Sequence, residues 1–488
     1  MAGSYYEKIA RINLTTGEII VEQTDLNLVR EFIGGRGLGA KILYDEGVAA
    51  ADPLSSENKL ICVTGPLTGA IAPSSGRYTL ATKSPVTGKI ASSNSGGIWG
   101  AKLKYAGWDA VIIEGKAWEW TYLSIEDSSI RLYDARKYIG TMTTELNQML
   151  KEKHGTDSSV LSIGPTGEKQ ILLSAVMNDT LRAAGRGGIG AVMGSKKLKA
   201  IVVKATRTHL DTIADPEALK TSTMQALNIL RKNSTSEIGL CTLSRTALAD
   251  IIESVGSMPV RSWHFSKSEQ DKQLLAKPSG CYRCPIACSR AFQAEHDDSD
   301  GNRNLFDQCS SLCNEYGLDT IGVQRTIAAA VELSRQGIIT EQERAGIPLE
   351  WDALLEWTKR IGTPQTNFEC LMSSGADSLS EYYGIPKNSR KKNPLSACKN
   401  HVVGQGNLLR QPGCLSKHED AFKNFNAVID SMGQCLVPSS MMGVQVYTDL
   451  LNAVTGSNWT AEQVLEIGDR IYHTECMFHQ IASAIALI

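Results

Sequence analysis

Alternation of apolar and polar residues marks the first two hundred positions of the chain, and helical spacing marks the rest. Ile9-Ala10-Arg11-Ile12-Asn13-Leu14 alternates, Thr15-Thr16-Gly17 turns, and Glu18-Ile19-Ile20-Val21-Glu22 returns, which predicts a hairpin. Lys59-Leu60-Ile61-Cys62-Val63-Thr64, Ala110-Val111-Ile112-Ile113, Val160-Leu161-Ser162-Ile163 and Ala200-Ile201-Val202-Val203 are short apolar runs of the buried-strand kind. From about residue 208 the period becomes helical. Asp215 is placed to cap a helix opening at Pro216, with apolar spacing through Leu227 and Leu230. Further helices are expected over 326–333, from Leu349 through Leu355, and over 425–431, 444–454 and 461–471. Segment 366–417, with Pro386, Pro394, Gly404, Gly406 and Pro412, leaves little room for a long element. The pattern predicts an α+β chain in three parts: a β-rich base over 1–207, a helical domain over 208–365 and a second helical domain over 366–488.

Between the strands the polar positions gather into glycine-rich stretches, read as loops: 34–39, 65–69, 74–77, 94–97 and 185–190. Such loops let backbone amides approach an anion or a flat heterocycle, and arginines among them fork onto phosphate. Any one of them reads equally as a turn. Five in one domain, three of them holding Arg36, Arg77 or Arg186, weigh a phosphate-bearing cofactor against that reading. Gly185-x-Gly187-x-x-Gly190 also matches the dinucleotide fingerprint, and Asp211 follows at a suitable distance. The stretch runs through Lys196-Lys197-Leu198-Lys199 straight into a strand, so a Rossmann site is discounted.

Cys281-x2-Cys284-x3-Cys288 holds three thiolates around one small centre, and a fourth ligand must come from elsewhere. A [4Fe–4S] cubane and a tetrahedral zinc site both take four such ligands, and the spacing favours the cubane. Cys309 and Cys313, four apart on an expected helix, and Cys62 in a strand read as core residues. His473, Cys476 and His479 are spaced like metal ligands but also like one helix, and His418 reads as a solvated helix start.

Composition narrows the function classes. A chain of 488 residues with 42% hydrophobic positions suggests several domains. A net charge of −2 argues against a nucleic-acid or membrane-surface partner, and Lys196-Lys197 reads as a solvated face. No secretory signal, no membrane-spanning run and twelve cysteines together suggest thiols in a reducing cytoplasm.

Read together, these stretches resemble the tungsten- or molybdenum-containing aldehyde ferredoxin oxidoreductases. The likeness covers nearly all of 5–207, through Gly35-Arg36-Gly37, Gly65-Pro66-Leu67-Thr68-Gly69, Gly76-Arg77-Tyr78, Asn94-Ser95-Gly96-Gly97, Met177-Asn178-Asp179 and Arg182 through Lys199. It resumes at the cysteine triplet, at Gly317-Leu318-Asp319-Thr320-Ile321, and from Phe425 through Asp430 to Cys435. The resemblance implies a metal held by two pterins, with magnesium bridging their phosphates. It makes Cys281, Cys284, Cys288 and Cys435 the ligands of a [4Fe–4S] cluster. Arg77 would grip a pterin phosphate and touch only that, with Asn94 and Gly96 lining the pterins. Arg182, Ala183, Arg186, Gly187 and Gly188 would meet the magnesium and phosphates, and Asp319, Asp430 and Gln434 the pterin rings.

The implied activity is oxidation of an aldehyde to a carboxylic acid, or the reverse, with electrons leaving through the cluster to ferredoxin or a ferredoxin-like iron–sulfur protein. A homo-oligomer is compatible with it. The family's Gly-Pro-Glu-Tyr-Glu element is missing between Cys288 and Asp319, its Tyr-Asp-Pro-Arg-Gly stretch is missing before Phe425, and the chain stops at Ile488. The catalytic proton carrier is therefore not assigned. Two alternatives stand beside the main reading: another substrate handled within an electron-transfer complex, and a non-catalytic homologue that keeps the cofactor cradle.

Overall fold

The computed structural model describes residues 3–179, 182–234, 278–286, 289–290, 301–349, 353–385 and 417–485. Two mixed six-stranded sheets form the N-terminal part. The first runs β2-β1-β6-β3-β4-β5, with β1 Lys8–Asn13, β2 Glu18–Gln23, β3 Leu60–Thr64, β4 Tyr78–Lys83, β5 Ile90–Ser95 and β6 Ala110–Glu114. Only β1 and β6 pair in parallel within it. The second runs β11-β10-β9-β12-β7-β8, with β7 Thr121–Glu126, β8 Ser129–Asp134, β9 Ser159–Ser162, β10 Val176–Asn178, β11 Arg182–Ala184 and β12 Leu198–Lys204. The expected hairpin is β1–β2, and the apolar runs are β3, β6, β9 and β12. β3 is buried along its whole length, as an uninterrupted apolar run requires.

One core joins the sheets. Leu60, Cys62 and Leu80 of the first share it with Leu161, Ile201 and Val203 of the second. The helix Trp99–Tyr105 bridges them, and Trp99 Nε1 donates to Ile201 O at 3.2 Å.

The remaining described chain is mainly helical. Helices Gly301–Tyr316, Thr320–Arg335, Leu354–Gly362, Asn367–Ser373 and Ala376–Tyr382 share a core with Ile171 and Leu173. Cys309 and Cys313 are buried in it, as core residues. Helices Pro216–Ser234, Lys417–Met432, Ser439–Thr455 and Ala461–Ile485 contribute to the core beneath the sheets. Asp215 caps the first of these through Ala218 N at 2.9 Å.

Several expectations need correction. The 34–39 stretch is no loop, because the helix Gly35–Asp45 begins inside it. Its glycines serve close approach: a Cβ on Gly35 would overlap Asp430 O, and one on Gly37 would overlap Phe32 O. The helix expected to end at Ile471 runs to Ile485. Lys196 is no solvated residue. It is fully buried, its Nζ donates to Gly115 O at 3.0 Å and to Asn58 O, and burial lowers its pKa to about 8. The Gly185–Gly190 stretch leads into the helix Ile189–Ser195 before β12, not straight into the strand. No parallel βαβ unit results, because β11, β10, β9 and β12 are joined by antiparallel pairings. His473 is exposed while Cys476 and His479 are buried on the same helix, and His479 Nε2 accepts from Ile90 N at 3.2 Å. The His418 side chain and Cys288 lie outside the described residues.

Candidate functional site

The cysteine loop docks on the two turns that flank β4 and β5. Ser74 N donates to Arg283 O at 2.9 Å, and Tyr282 N donates to Gly97 O at 3.0 Å. Ser74 Oγ lies 3.4 Å from Cys284 Sγ. Gly96 is required here, since a Cβ would lie 2.5 Å from Cys281 Sγ. Asn178 on β10 fixes the same turn by donating from Nδ2 to Gly96 O at 2.5 Å.

Cys435 arrives from a separate element. The helix Lys417–Met432 ends at Gly433, with φ 80°, where a Cβ would overlap Thr68 Oγ1. That tight passage turns the chain so that Cys435 Sγ accepts from Arg77 NH2 at 3.0 Å. Arg77 NH1 meanwhile donates to Asn94 Oδ1 at 3.1 Å. The expectation that Arg77 touches phosphate alone is thus too narrow, for its guanidinium also contacts a cysteine sulfur. Among the described residues no three His, Cys, Asp or Glu side chains already converge as a metal-ligand group, and Cys288 is not among them.

Asp430 is almost completely buried. It lies within the helix, not at its start, so it is no N-cap. Arg36 stands 3.7 Å from it and forks onto Glu475, with Nε to Oε1 at 2.8 Å and NH2 to Oε2 at 2.7 Å. Burial pushes the Asp430 carboxyl up to about 6, against the opposing pull of Arg36 and then Arg77. Burial acts to lower the Arg36 pKa, but Glu475 and Asp430 outweigh it and hold the guanidinium charged. In the sequence Arg36 stands out only as an arginine of a glycine-rich stretch, and nothing marks Glu475. A buried Arg paired to two carboxylates was foreshadowed only by the lone Arg within a glycine run.

Asp319 sits elsewhere and does two things. It caps the helix Thr320–Arg335 by accepting from Ile321 N at 3.1 Å, and its Oδ2 lies 3.9 Å from Arg186 Nε. It is half-buried, not deep in the interior as Asp430 is. The Arg186–Gly188 turn rests on the β4–β5 hairpin, where Gly187 O accepts from Ser84 Oγ at 2.9 Å. Arg182 and Ala183 lie on β11, which packs against β5. The structure therefore brings Arg77, Asn94, Gly96, Cys281, Cys284, Asp430 and Cys435 to one junction. It brings Arg182, Ala183, Arg186, Gly187, Gly188 and Asp319 to the other side of the same hairpin.

Alternation along β4 and β5 places Arg77 and Thr79 on one face with Ser92, Asn94 and Gly96. Among the described residues, Thr79 Oγ1, Ser92 Oγ, Asn94 Nδ2 and both polar atoms of the Gln434 side chain are buried without hydrogen-bond partners. Buried polar groups are normally paired, so a cluster of unmet ones beside arginines and thiols fits a polar, anionic ligand.

Comparison with known proteins follows the same division. Residues 9–205 match aldehyde ferredoxin oxidoreductase, N-terminal domain, and residues 301–406 and 415–483 match domains 2 and 3 of that family. A tungsten-containing aldehyde ferredoxin oxidoreductase of Pyrococcus furiosus is 34% identical, covering 97% of this chain and 88% of that protein. A protein of the same description from Thermococcus kodakarensis is 33% identical with the same coverage. An aliphatic sulfonate oxidoreductase, WOR-like subunit, from Pyrococcus furiosus is 29% identical over 71% of this chain and 62% of its own length. Among solved structures, the active site complex BamBC of benzoyl coenzyme A reductase with 1,5-dienoyl-CoA superposes with a TM-score of 0.80 at 20% identity, covering 99% of this chain and 90% of that one. At that identity the likeness is one of fold.

Proposed function

The chain belongs to the aldehyde ferredoxin oxidoreductase family, and from that premise we propose that it oxidises an aldehyde to a carboxylic acid at a tungsten (or molybdenum) bis-pterin centre. Electrons leave through a [4Fe–4S] cluster to ferredoxin or a similar iron–sulfur protein. The observation that carries the reading is the guanidinium of Arg77, set between Asn94 and Cys435. A single cation there touches both the expected pterin lining and an expected cluster ligand.

In this reading residues 1–207 are the cofactor base, and the helical parts 208–365 and 366–488 close over it. Cys281, Cys284, Cys288 and Cys435 hold the cluster. Arg77 holds a pterin phosphate, and Arg182, Ala183 and the Arg186–Gly188 turn hold the phosphates and their bridging magnesium. Asp319 and Asp430 accept from ring N–H groups, a role suited to ionised carboxylates, which only accept. Arg36 keeps Asp430 oriented from behind. When bound, the metal centre supplies two-electron redox chemistry and polarises the carbonyl, and the protein supplies binding, orientation and electrostatics. A reducing cytoplasm suits such a centre.

The test is viologen reduction by anaerobically purified protein offered a panel of aldehydes. Aldehyde-dependent reduction is expected. A fully loaded protein inactive on every aldehyde would favour the second reading, a different small substrate handled inside an electron-transfer complex. Two observations favour that reading: the relative described as an aliphatic sulfonate oxidoreductase subunit, and the missing Gly-Pro-Glu-Tyr-Glu element. A chain carrying neither metal nor pterin would instead be a non-catalytic homologue.

A further inference from the structure

We infer that Tyr105 and Tyr282 act as one positioning pair for the iron–sulfur cluster: a run of hydrogen bonds from Arg283 through both phenols to Gly69 O holds the Cys281–Cys284 turn in place. The inference rests on the cluster reading above and assigns a role to residues that are not ligands.

Cys284 N donates to Cys281 O at 3.0 Å and closes a four-residue turn. Within it only the third residue, Arg283, has a positive φ, at 46°. A turn with positive φ at that place alone ordinarily takes glycine or asparagine there. A bulkier residue in that region is strained and persists only where its surroundings over-determine it. Two hydrogen bonds do so here. Ser74 N donates to Arg283 O at 2.9 Å, and Arg283 Nε donates to the Tyr282 hydroxyl at 3.1 Å. The guanidinium also lies over the Tyr282 ring, 5.7 Å from its centre. Glycine would suit the backbone better, so the arginine is there for its side chain.

Each phenol has one proton to give, which fixes the direction of the run. The two hydroxyls lie 2.6 Å apart, and Gly69 O lies 2.7 Å from that of Tyr105 and 3.2 Å from that of Tyr282. With the shorter contacts, Arg283 donates to Tyr282, Tyr282 to Tyr105 and Tyr105 to Gly69 O, and every proton is used once. Burial, and then the Tyr282 contact, push the Tyr105 phenol well above its ordinary value, so its proton stays in place. Hydrogen bonds in such a chain strengthen one another, and this one starts from a charge. Its far end is fixed in the fold. Tyr105 is buried at the end of the helix Trp99–Tyr105, and a Cβ on Gly69 would lie 3.0 Å from its ring. The two rings meet edge to face, with centroids 6.2 Å apart. Phenylalanines would pack in the same way without the hydroxyls, so ring packing does not explain the pair.

The test uses the full-length, anaerobically purified parent with Tyr105→Phe, Tyr282→Phe, the double variant and Arg283→Gly. Iron release to a ferrous chelator is timed on the folded proteins, and the EPR signal of the reduced cluster is recorded. Each single Phe variant should release iron roughly fivefold faster than the parent, the worth of one net hydrogen bond. The double variant should be no faster than Tyr282→Phe, because the two phenols act as one run. Arg283→Gly relieves the backbone and should still release iron faster, with an altered EPR signal. Release at the parent's rate from both single Phe variants overturns the inference. So does a double variant whose effect is the product of the two single effects, since the phenols would then act independently. An Arg283→Gly protein that holds iron as firmly as the parent overturns it too, because the turn would then need only its backbone. If Tyr282→Phe does not take up iron, Tyr105→Phe and Arg283→Gly decide. A parent that holds zinc or no iron is a different result: it overturns the cluster reading, and this inference with it.

Discussion

Replacing Asp430 by Asn should have opposite effects on the empty and the loaded protein. Burial raises the Asp430 carboxyl to about 6 despite Arg36 and Arg77. In the unfolded chain it titrates near 3.8, so the folded state holds its proton more tightly. The neutral form is therefore favoured in the fold. Relative to it, ionisation brings no penalty below about pH 4, a growing one through pH 6, and the full one at pH 7. The interval between 3.8 and about 6 corresponds to roughly 3 kcal/mol. Asparagine, neutral throughout, escapes that penalty. With about 2 cal/mol/K per residue, a 488-residue chain has an unfolding entropy of about 1 kcal/mol/K, so cofactor-free Asp430→Asn should melt about 3 °C above the parent at pH 7. The gain should vanish near pH 4. In the loaded protein an acceptor is lost and pterin content should fall. The assay is a thermal melt from pH 4 to 8 on chains made without pterin, with pterin quantified on loaded ones. A variant less stable than the parent at pH 7, with no pH dependence of the difference, would refute the reasoning.

Arg36→Met strands two buried carboxylates and should cost about 3–5 kcal/mol in chemical denaturation, more than Glu475→Gln, which leaves Arg36 beside Asp430; equal costs would contradict the network. Gly433→Ala should cost about 2–4 kcal/mol from its positive φ and the overlap with Thr68, and a neutral outcome by the same method would mean the passage can relax. Arg77→Ala should lower pterin content and also disturb the cluster, seen as iron loss or an altered EPR signal, because Arg77 touches Cys435; an unchanged signal would limit its role to phosphate.

Much of this was legible in the sequence where local pattern and packing agree. β3 and the Ala200–Val203 part of β12 are short apolar runs that suit buried strands. The capping Asp215 and the apolar residues of 326–333 announced their helices in the same way, although the second helix begins earlier, at Thr320. What escaped depends on partners distant in sequence. The helix Gly35–Asp45 reads as a loop because its glycines serve neighbouring elements that approach closely: Asp430 at Gly35, Phe32 at Gly37 and Ala81 of β4 at Gly39. The last helix reads as ending at Ile471 because Thr474 and Glu475 interrupt the apolar stripe. Glu475 is buried only because Arg36, more than four hundred residues earlier, pairs with it. Lys196 fails the expectation of a solvated lysine for the same reason, as backbone carbonyls of Asn58 and Gly115 take its charge. The site residues on the β4–β5 hairpin and at Asp430–Cys435 were recognisable through family resemblance. Their shared dependence on Arg77 and Arg36 was not.

The central claim is that one chain holds both a cubane and a bis-pterin metal centre. Elemental and pterin analysis of the anaerobically purified protein tests it most directly. The account predicts about four irons, about one tungsten or molybdenum and about two pterins per chain, with iron lost together in each of Cys281→Ser, Cys284→Ser, Cys288→Ser and Cys435→Ser. Zinc bound by those cysteines, with no tungsten, molybdenum or pterin, would contradict it.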